Sequence, residues 1–233
     1  MKRFYNSAGV TEAEGGWQVT LDDRAMKTVK GSQQIVPTRG LAEMLAAEWE
    51  AQGEKIDPAS FVIRDMADYA IDIVAPDHAA TADKLVAYGD TDTLLYRADP
   101  DEPLYVRQQE VWEPIVAEFE QREGVELTRV SGIIHKPQAD ATIARLKARL
   151  GEVQAFELAA IETMTSLAAS LLIALTASDT SEEEQAKKLW DAASLEEEWQ
   201  ADLWGRDEEA EERREKRTRD FLNAWKFLRA ARG

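Results

Sequence analysis

The sequence predicts an α+β fold: a small N-terminal antiparallel sheet with one helix, followed by a larger all-α helical bundle. Two observations carry this. Alternation with a period of two, the mark of a half-buried strand, is confined to the residues before Pro37, and from Asp65 onward apolar residues recur at helical spacing. Length is the third: 233 residues can bury the core of one large or two modest domains without covalent staples. We expect residues 1–64 to form the α+β domain and residues 65–233 the helical domain.

In chain order, Gly15-Gly16 reads as a turn, and Trp17, Val19 and Leu21 alternate with Gln18 and Thr20 as a strand. Asp22-Asp23 makes a turn, Ala25 to Val29 a return strand, and Gln34 to Val36 a third short strand that Pro37 ends, giving a meander. Thr38 is placed to cap a helix whose stripe is Leu41, Leu45, Ala46 and Trp49, ended by Gly53 to Pro58. Met66, Ala70, Ile73 and Val74 share the face of the next helix, which Pro76 stops, and another runs from Asp77 to Tyr88. Leu104, Gln108, Val111, Trp112, Ile115 and Phe119 form a stripe in which Pro114 predicts a kink or a fresh start. Val125 to His135 reads as irregular, and Pro137 precedes a helix marked by Ile143, Leu146 and Leu150.

Val153 to Ala177 predicts a single helix, apolar nearly all round in its second half, at the centre of the bundle. Its most apolar stretch, Leu167 to Ala177, is too short to span a bilayer. Asp179-Thr180 breaks it, and Ser181 with Glu184, then Ser194 with Glu197, have the spacing of capping boxes. The last helix runs from near Gly205 to near Ala231. Between Asp207 and Asp220 only Ala210 is apolar, and Glu209–Arg213, Glu212–Lys216 and Glu215–Arg219 are favourably oriented i,i+4 pairs, each contributing about 0.3–0.5 kcal/mol. Phe221, Ala224, Trp225 and Leu228 then restore a stripe that can dock.

Chemistry is sparse. The absence of cysteine excludes disulfides, thiolate metal sites and a cysteine nucleophile. His78 and His135 are the only histidines and stand far apart, with no HExxH, P-loop, GxGxxG or GxSxG pattern. With 45 acidic residues, paired carboxylates occur by chance. We therefore expect no enzyme, no metal and no cofactor. A net charge of -17 disfavours nucleic acid and anionic membrane surfaces, and it suits solubility or a basic protein partner. No secretory or Arg/Ser-rich leader follows Met1, and a monomer when free is expected. Of seven tryptophans most read as core, but Trp204, beside Gly205 and an acidic run, is the candidate for a contact residue. Asp207, Glu208 and Glu209 also sit where carboxylates complement a helix dipole, so their charge alone decides nothing.

An ordered series of short motifs runs through nearly the whole chain. It comprises Arg3-Phe4-Tyr5, Leu21-Asp22-Asp23-Arg24, Lys27-Thr28, Val36-Pro37-Thr38, Leu41-Ala42, Glu48-Trp49, Gln52 and Ile56-Asp57-Pro58. Thr91-Asp92, Tyr96-Arg97, Gln108, Trp112, Pro114, Glu198-Trp199-Gln200 and the run from Trp204 to Ala210 follow. The series resembles the assembly chaperone family that acts on the alpha subunit of F(1)-ATPase in mitochondria and alphaproteobacteria. Each motif is weak alone, whereas their order is specific. The resemblance implies a two-domain protein with an orthogonal all-α helical bundle that holds the unassembled alpha subunit until the beta subunit replaces it, and with no transit leader after Met1 it implies a bacterial, cytoplasmic member. It also implies that the acidic position after Trp-Gly, here Glu208 flanked by Asp207 and Glu209, matters for function, with Trp204 and Arg206 in the same partner-binding run. Asp23 stands where a turn glycine is more usual, and Leu95 where a cysteine is often found. A carboxylate-dependent enzyme with a cleft between its domains, and an acidic scaffold or nucleic-acid mimic acting by charge alone, are the alternatives.

Overall fold

The computed structural model describes residues 1–132 and 134–233. Ile133, inside the stretch expected to be irregular, lies outside the described residues. The chain forms two compact units: residues 1–78 with 154–160 and 223–233, and residues 79–153 with 161–222. The fold is α+β.

In the first unit the sheet is built on β2 (Gly16–Leu21), which pairs antiparallel with β1 (Ala8–Ala13) on one side. On the other side it pairs with β3 (Arg24–Ala25) and, further along, β4 (Ile35–Val36). This corrects the expected meander. A strand absent from the sequence reading, β1, lies at the edge, and the strand at Gln34 to Val36 returns to β2. The return strand expected over Ala25 to Val29 stops at Ala25, with only a Lys27–Gln33 bridge beyond. There Thr28 N–H turns to the Ser32 carbonyl (2.9 Å) and Val29 N–H to the Asp68 carboxylate (3.0 Å).

Gly16 is required where β4 meets β2, because a Cβ there would lie 2.2 Å from the Val36 carbonyl oxygen. Asp22 and Asp23 both hold positive φ, 47° and 66°, as the tight turn of a two-residue hairpin demands. Aspartate tolerates that conformation, and the Asp22 carboxylate also accepts the Asn6 and Ser7 N–H groups at 3.0 Å. Those backbone bonds hold its pKa below the usual carboxylate range.

Helix α1 (Arg39–Glu50) begins as the sequence predicts, with Thr38 Oγ1 accepting from Leu41 N–H at 3.1 Å. Leu41, Leu45 and Trp49 are buried, and Trp49 packs on Phe61 with ring centroids 4.4 Å apart. Glu48 accepts the N–H groups of Ile63 and Arg64 (2.7 and 2.8 Å), capping α2 (Val62–Tyr69). Burial raises the Glu48 pKa. Past α2 the chain widens into a π turn over Ala70–Val74. Its extra residue rotates the face, so Ile73, expected inside, is exposed while Ala70 and Val74 are buried.

The second unit holds α3 (His78–Asp90), α4 (Pro103–Glu123) and α5 (Asp140–Gly151). Pro114 neither ends α4 nor restarts it. It sits on the exposed side, opposite a buried stripe of Gln108, Trp112, Val116 and Phe119 that holds the helix together. Trp112 Nε1 donates to the Ala192 carbonyl at 2.7 Å. The sequence reading missed a parallel pair, β5 (Tyr96–Arg97) with β6 (Val130–Ser131), of which β6 lies inside the stretch expected to be irregular.

Instead of one helix from Val153 to Ala177 there are two, α6 (Ala155–Ala168) and α7 (Leu171–Asp179). Ala169 takes φ 48°, Ser170 Oγ accepts from Ile173 N–H (3.0 Å), and the buried Asp92 accepts from Leu172 N–H (2.9 Å). Two caps thus satisfy the start of α7 inside the core. Neither expected capping box forms. Before α8 (Glu183–Ala193) the N-cap residue is Glu182 with no side-chain bond, and Glu184 pairs with Lys188. Ser194 continues the turn of α8 at ψ 4°, which keeps its hydroxyl from capping α9 (Leu195–Trp204), and Glu197 pairs with Arg217. The last helix is α10 (Glu208–Arg232). Its stripe Phe221, Ala224, Trp225 and Leu228 is buried as predicted. Among the described residues no helix is long and apolar enough to cross a membrane.

Candidate partner-binding site

The predicted run Trp204 to Glu209 occupies the corner where α9 turns into α10. Gly205 makes the corner: it ends α9 with its N–H on the Ala201 carbonyl (2.9 Å) at φ 97°, ψ 154°, backbone open essentially to glycine alone. Asp207 starts α10. Its carboxylate accepts from Ala210 N–H at 3.1 Å and its carbonyl from Glu211 N–H at 2.9 Å, so it is the N-cap.

Arg206 turns inward on its own helices. Its guanidinium meets Glu198 (3.0 Å), Asp202 (2.9 Å) and Glu211 (3.3 Å), bracing α9 against the first turn of α10. The hydrogen bonds it donates to Asp202 and Glu198 raise its pKa. Arg214, with help from Arg206, holds the Glu198 carboxyl below the usual range.

The remaining members face outward. Trp204 is 86% exposed, beside Leu203 at 65%. Glu209 is exposed and pairs with Arg213 at 2.6 Å, and Glu208 is exposed, its side chain with no hydrogen bond or ion pair to any described residue. Between α9 and α10 lies a cleft of about 450 Å³, lined among others by Gln200, Ala201, Trp204, Ala210 and Arg213. From Leu195 to Glu212 the chain carries nine carboxylates and one arginine. The corner thus joins exposed apolar surface to excess negative charge, a combination suited to holding an apolar patch rimmed by basic residues.

Sequence reasoning missed Leu203, Gln200 and Ala201. The last two stand four and three residues before Trp204, so helical spacing alone puts them on its face. It also treated the first half of α10 as self-supporting. In the structure Arg214 binds Glu198 (2.8 Å), Arg217 binds Glu197 (2.6 Å) and the Leu167 carbonyl (2.9 Å), and Trp190 Nε1 donates to Thr218 Oγ1 (2.8 Å). Of the expected i,i+4 pairs, Glu209–Arg213 forms and Glu215–Arg219 is loose at 3.7 Å, whereas no ion pair joins Glu212 to Lys216; α9 and α8 also hold the helix.

His135 Nδ1 lies 2.7 Å from the Tyr96 hydroxyl and its Nε2 3.4 Å from Asp90. Among the described residues no group of three or more His, Asp or Glu side chains converges to hold a metal ion. Burial raises the carboxyl pKa of Asp92, Glu48, Asp68 and Glu196, and the hydrogen bonds each accepts lower it only in part. Asp92 and Glu48 give both oxygens, and Asp68 one, to backbone N–H groups, as structural caps do.

Comparison with known proteins gives consistent matches. The family model described as ATP12 chaperone protein matches residues 2–120. The mitochondrial protein atp12 of Schizosaccharomyces pombe is 27% identical over 224 residues, 91% of this chain and 76% of that protein. The crystal structure of Atp12 from Paracoccus denitrificans superposes with a TM-score of 0.90 at 34% identity, covering 99% of this chain and 98% of that one. The Atu1473 protein of Agrobacterium tumefaciens does so with a TM-score of 0.93 at 33% identity, covering 98% and 85%.

Proposed function

The chain belongs to the ATP12 chaperone family, and on that basis we propose that it binds the unassembled alpha subunit of F(1)-ATPase and keeps it from aggregating until the beta subunit takes its place. It does so without making or breaking a bond, as a monomer when free, in the bacterial cytoplasm. A free subunit carries an interface that is apolar at its centre and self-associates unless covered. The observation that supports a covering surface here is the α9–α10 corner, where Trp204 and Leu203 are exposed next to Glu208, a carboxylate no described residue engages.

In this reading Trp204 supplies apolar contact, Glu208 and Glu209 steer a basic rim of the client, and Asp207 and Arg206 keep the corner in shape. The corner carries Glu208 whether or not it is charged, because Asp207 makes the cap bond. Glu208→Lys is therefore expected to abolish or strongly weaken capture of purified alpha subunit on a sizing column, and to let its light scattering rise. The melt should shift little, since a lysine in the first turn costs only about 0.3–1 kcal/mol. Capture that survives this substitution removes the corner from the reading, and failure of the unaltered chain to slow aggregation removes the reading itself.

A second reading has one observation in its favour: a net charge of -17 could block a basic surface by itself. The two differ in salt. A charge-only contact weakens steeply as the screening length falls, whereas one anchored by Trp204 persists in salt and is lost in Trp204→Ala.

A further inference from the structure

Strand β1 pairs with another strand on only one side. Its six residues pair with β2 in unbroken register, from Ala8 opposite Leu21 to Ala13 opposite Gly16. The Ser7 carbonyl accepts from Asp22 N–H at 3.1 Å, which turns the backbone groups of residues 7, 9, 11 and 13 toward β2 and those of Ala8, Val10 and Glu12 away. Ala8 bears out this alternation, since its N–H donates to the Glu50 carboxylate at 3.0 Å. Beyond it, no described residue accepts a hydrogen bond from Val10 or Glu12 N–H.

Natural sheets guard a free edge with shortness, Pro, charged side chains (Lys above all), a bulge or a covering element. The outer strands on the far side of β2, β3 and β4, have two residues each and are guarded by shortness. Strand β1 has one charge, Glu12, and none of the others along Val10 to Glu12: Ala-Gly-Val-Thr-Glu-Ala contains no Pro and no Lys, and its register has no bulge.

We propose that the free edge of β1 is a docking surface on which an extended segment of the client polypeptide adds as an outer strand, bonded to the backbone of Val10 and Glu12. This rests on the reading of the chain as a subunit-binding chaperone. Main-chain bonds give such an added strand its affinity, and alternate side chains its specificity. Glu50, held by Arg3 at 3.2 Å, closes the Ala8 end, so the added strand begins at the Ala8 carbonyl and runs toward Glu12. The local charge selects the occupant. Glu12 lies on the strand, Glu14 follows it and Glu50 ends it, while Arg3 is engaged, so a neutral or basic segment fits. A second copy of this chain brings the same acids and a charge of -17 to the contact, which opposes self-pairing.

The test is amide exchange of the full chain with and without purified unassembled alpha subunit, together with capture by Val10→Pro. Proline at position 10 removes an outward donor while leaving the bonds to β2, as edge strands tolerate. Binding is expected to slow exchange at Val10 and Glu12 but not at residues already paired with β2. Val10→Pro is expected to weaken capture roughly tenfold, the loss of about one main-chain bond, while Val10→Thr leaves it unchanged. If Val10→Pro melts early, Glu12→Pro makes the same comparison, and the exchange measurement needs no variant. A complex that forms without protecting Val10 and Glu12 overturns the docking edge and leaves the chaperone reading standing. An unaltered chain that forms no complex overturns both. Protection that grows with the concentration of this chain alone puts a second copy on the edge and also overturns the proposal.

Discussion

Asp92 should make the protein less stable as pH rises through the mildly acidic range, and Asp92→Asn should remove that dependence. The carboxyl is fully buried and accepts Leu94 N–H at 3.1 Å and Leu172 N–H at 2.9 Å, joining the turn Thr93–Leu95 to the start of α7. Burial outweighs these bonds and pushes its pKa from 3.8 to about 6. A raised carboxyl pKa means that between these two values the folded state binds more protons than the unfolded one. This group's contribution is therefore most favourable below about pH 4 and is lost as pH climbs through about 6. A rise of that size corresponds to about 3 kcal/mol.

Asparagine is neutral throughout and nearly isosteric, so the stability difference, variant minus parent, should move in the variant's favour by about 3 kcal/mol between about pH 4 and about pH 7.5. Urea unfolding of both proteins at several pH values, followed by far-UV circular dichroism, reads it. The other titrating groups, including Glu48 and Asp68, whose pKa values burial raises, are common to both proteins and cancel. A difference that stays flat with pH within about 1 kcal/mol refutes the raised pKa. A difference that moves against the variant as pH rises means that the N–H bonds outweigh burial.

Two further outcomes follow from the second unit. Glu123 is buried at the end of α4 and held by Arg149, Arg145 (3.2 Å) and Arg122 (3.5 Å), so Glu123→Gln leaves guanidinium groups without their counter-charge and should cost about 3–5 kcal/mol in urea unfolding. A loss below about 1 kcal/mol would show that water or Asp179 takes over the arginines. Gly205→Ala meets no atom within 4 Å of its new Cβ, so its cost of about 1–3 kcal/mol is backbone strain alone. It should appear as faster amide exchange in the first turn of α10 and weaker capture of the alpha subunit, with exchange in the buried part of α4 unchanged.

Local signals carried the parts of the fold that depend on neighbours in the chain. The alternation of Trp17, Val19 and Leu21, the Thr38 cap and the stripe Phe221 to Leu228 each name a structure whose stabilising contacts lie within a few residues or on one face. The corner at Gly205 was legible for the same reason, since a glycine between a tryptophan and an acidic run marks a helix end and a helix start. The order of the short motifs carried the family resemblance.

What distant residues decide was not legible. Pro114 stays inside α4 because Trp112 and Phe119 bury the other face. The break between α6 and α7 exists because Asp92, 80 residues away, caps a helix start in the core. Ser194 stays in the turn of α8 and so does not cap α9, Glu197 pairs instead with Arg217, and the inward turn of Arg206 depends on Glu198, eight residues back. The order of residues is enough to say which segments are amphipathic and where they can start and stop. Which partner each polar group meets, and which edges and side chains stay free, is set in the folded molecule, because buried hydrogen bonds and charges are satisfied across the fold and leave no period in the chain.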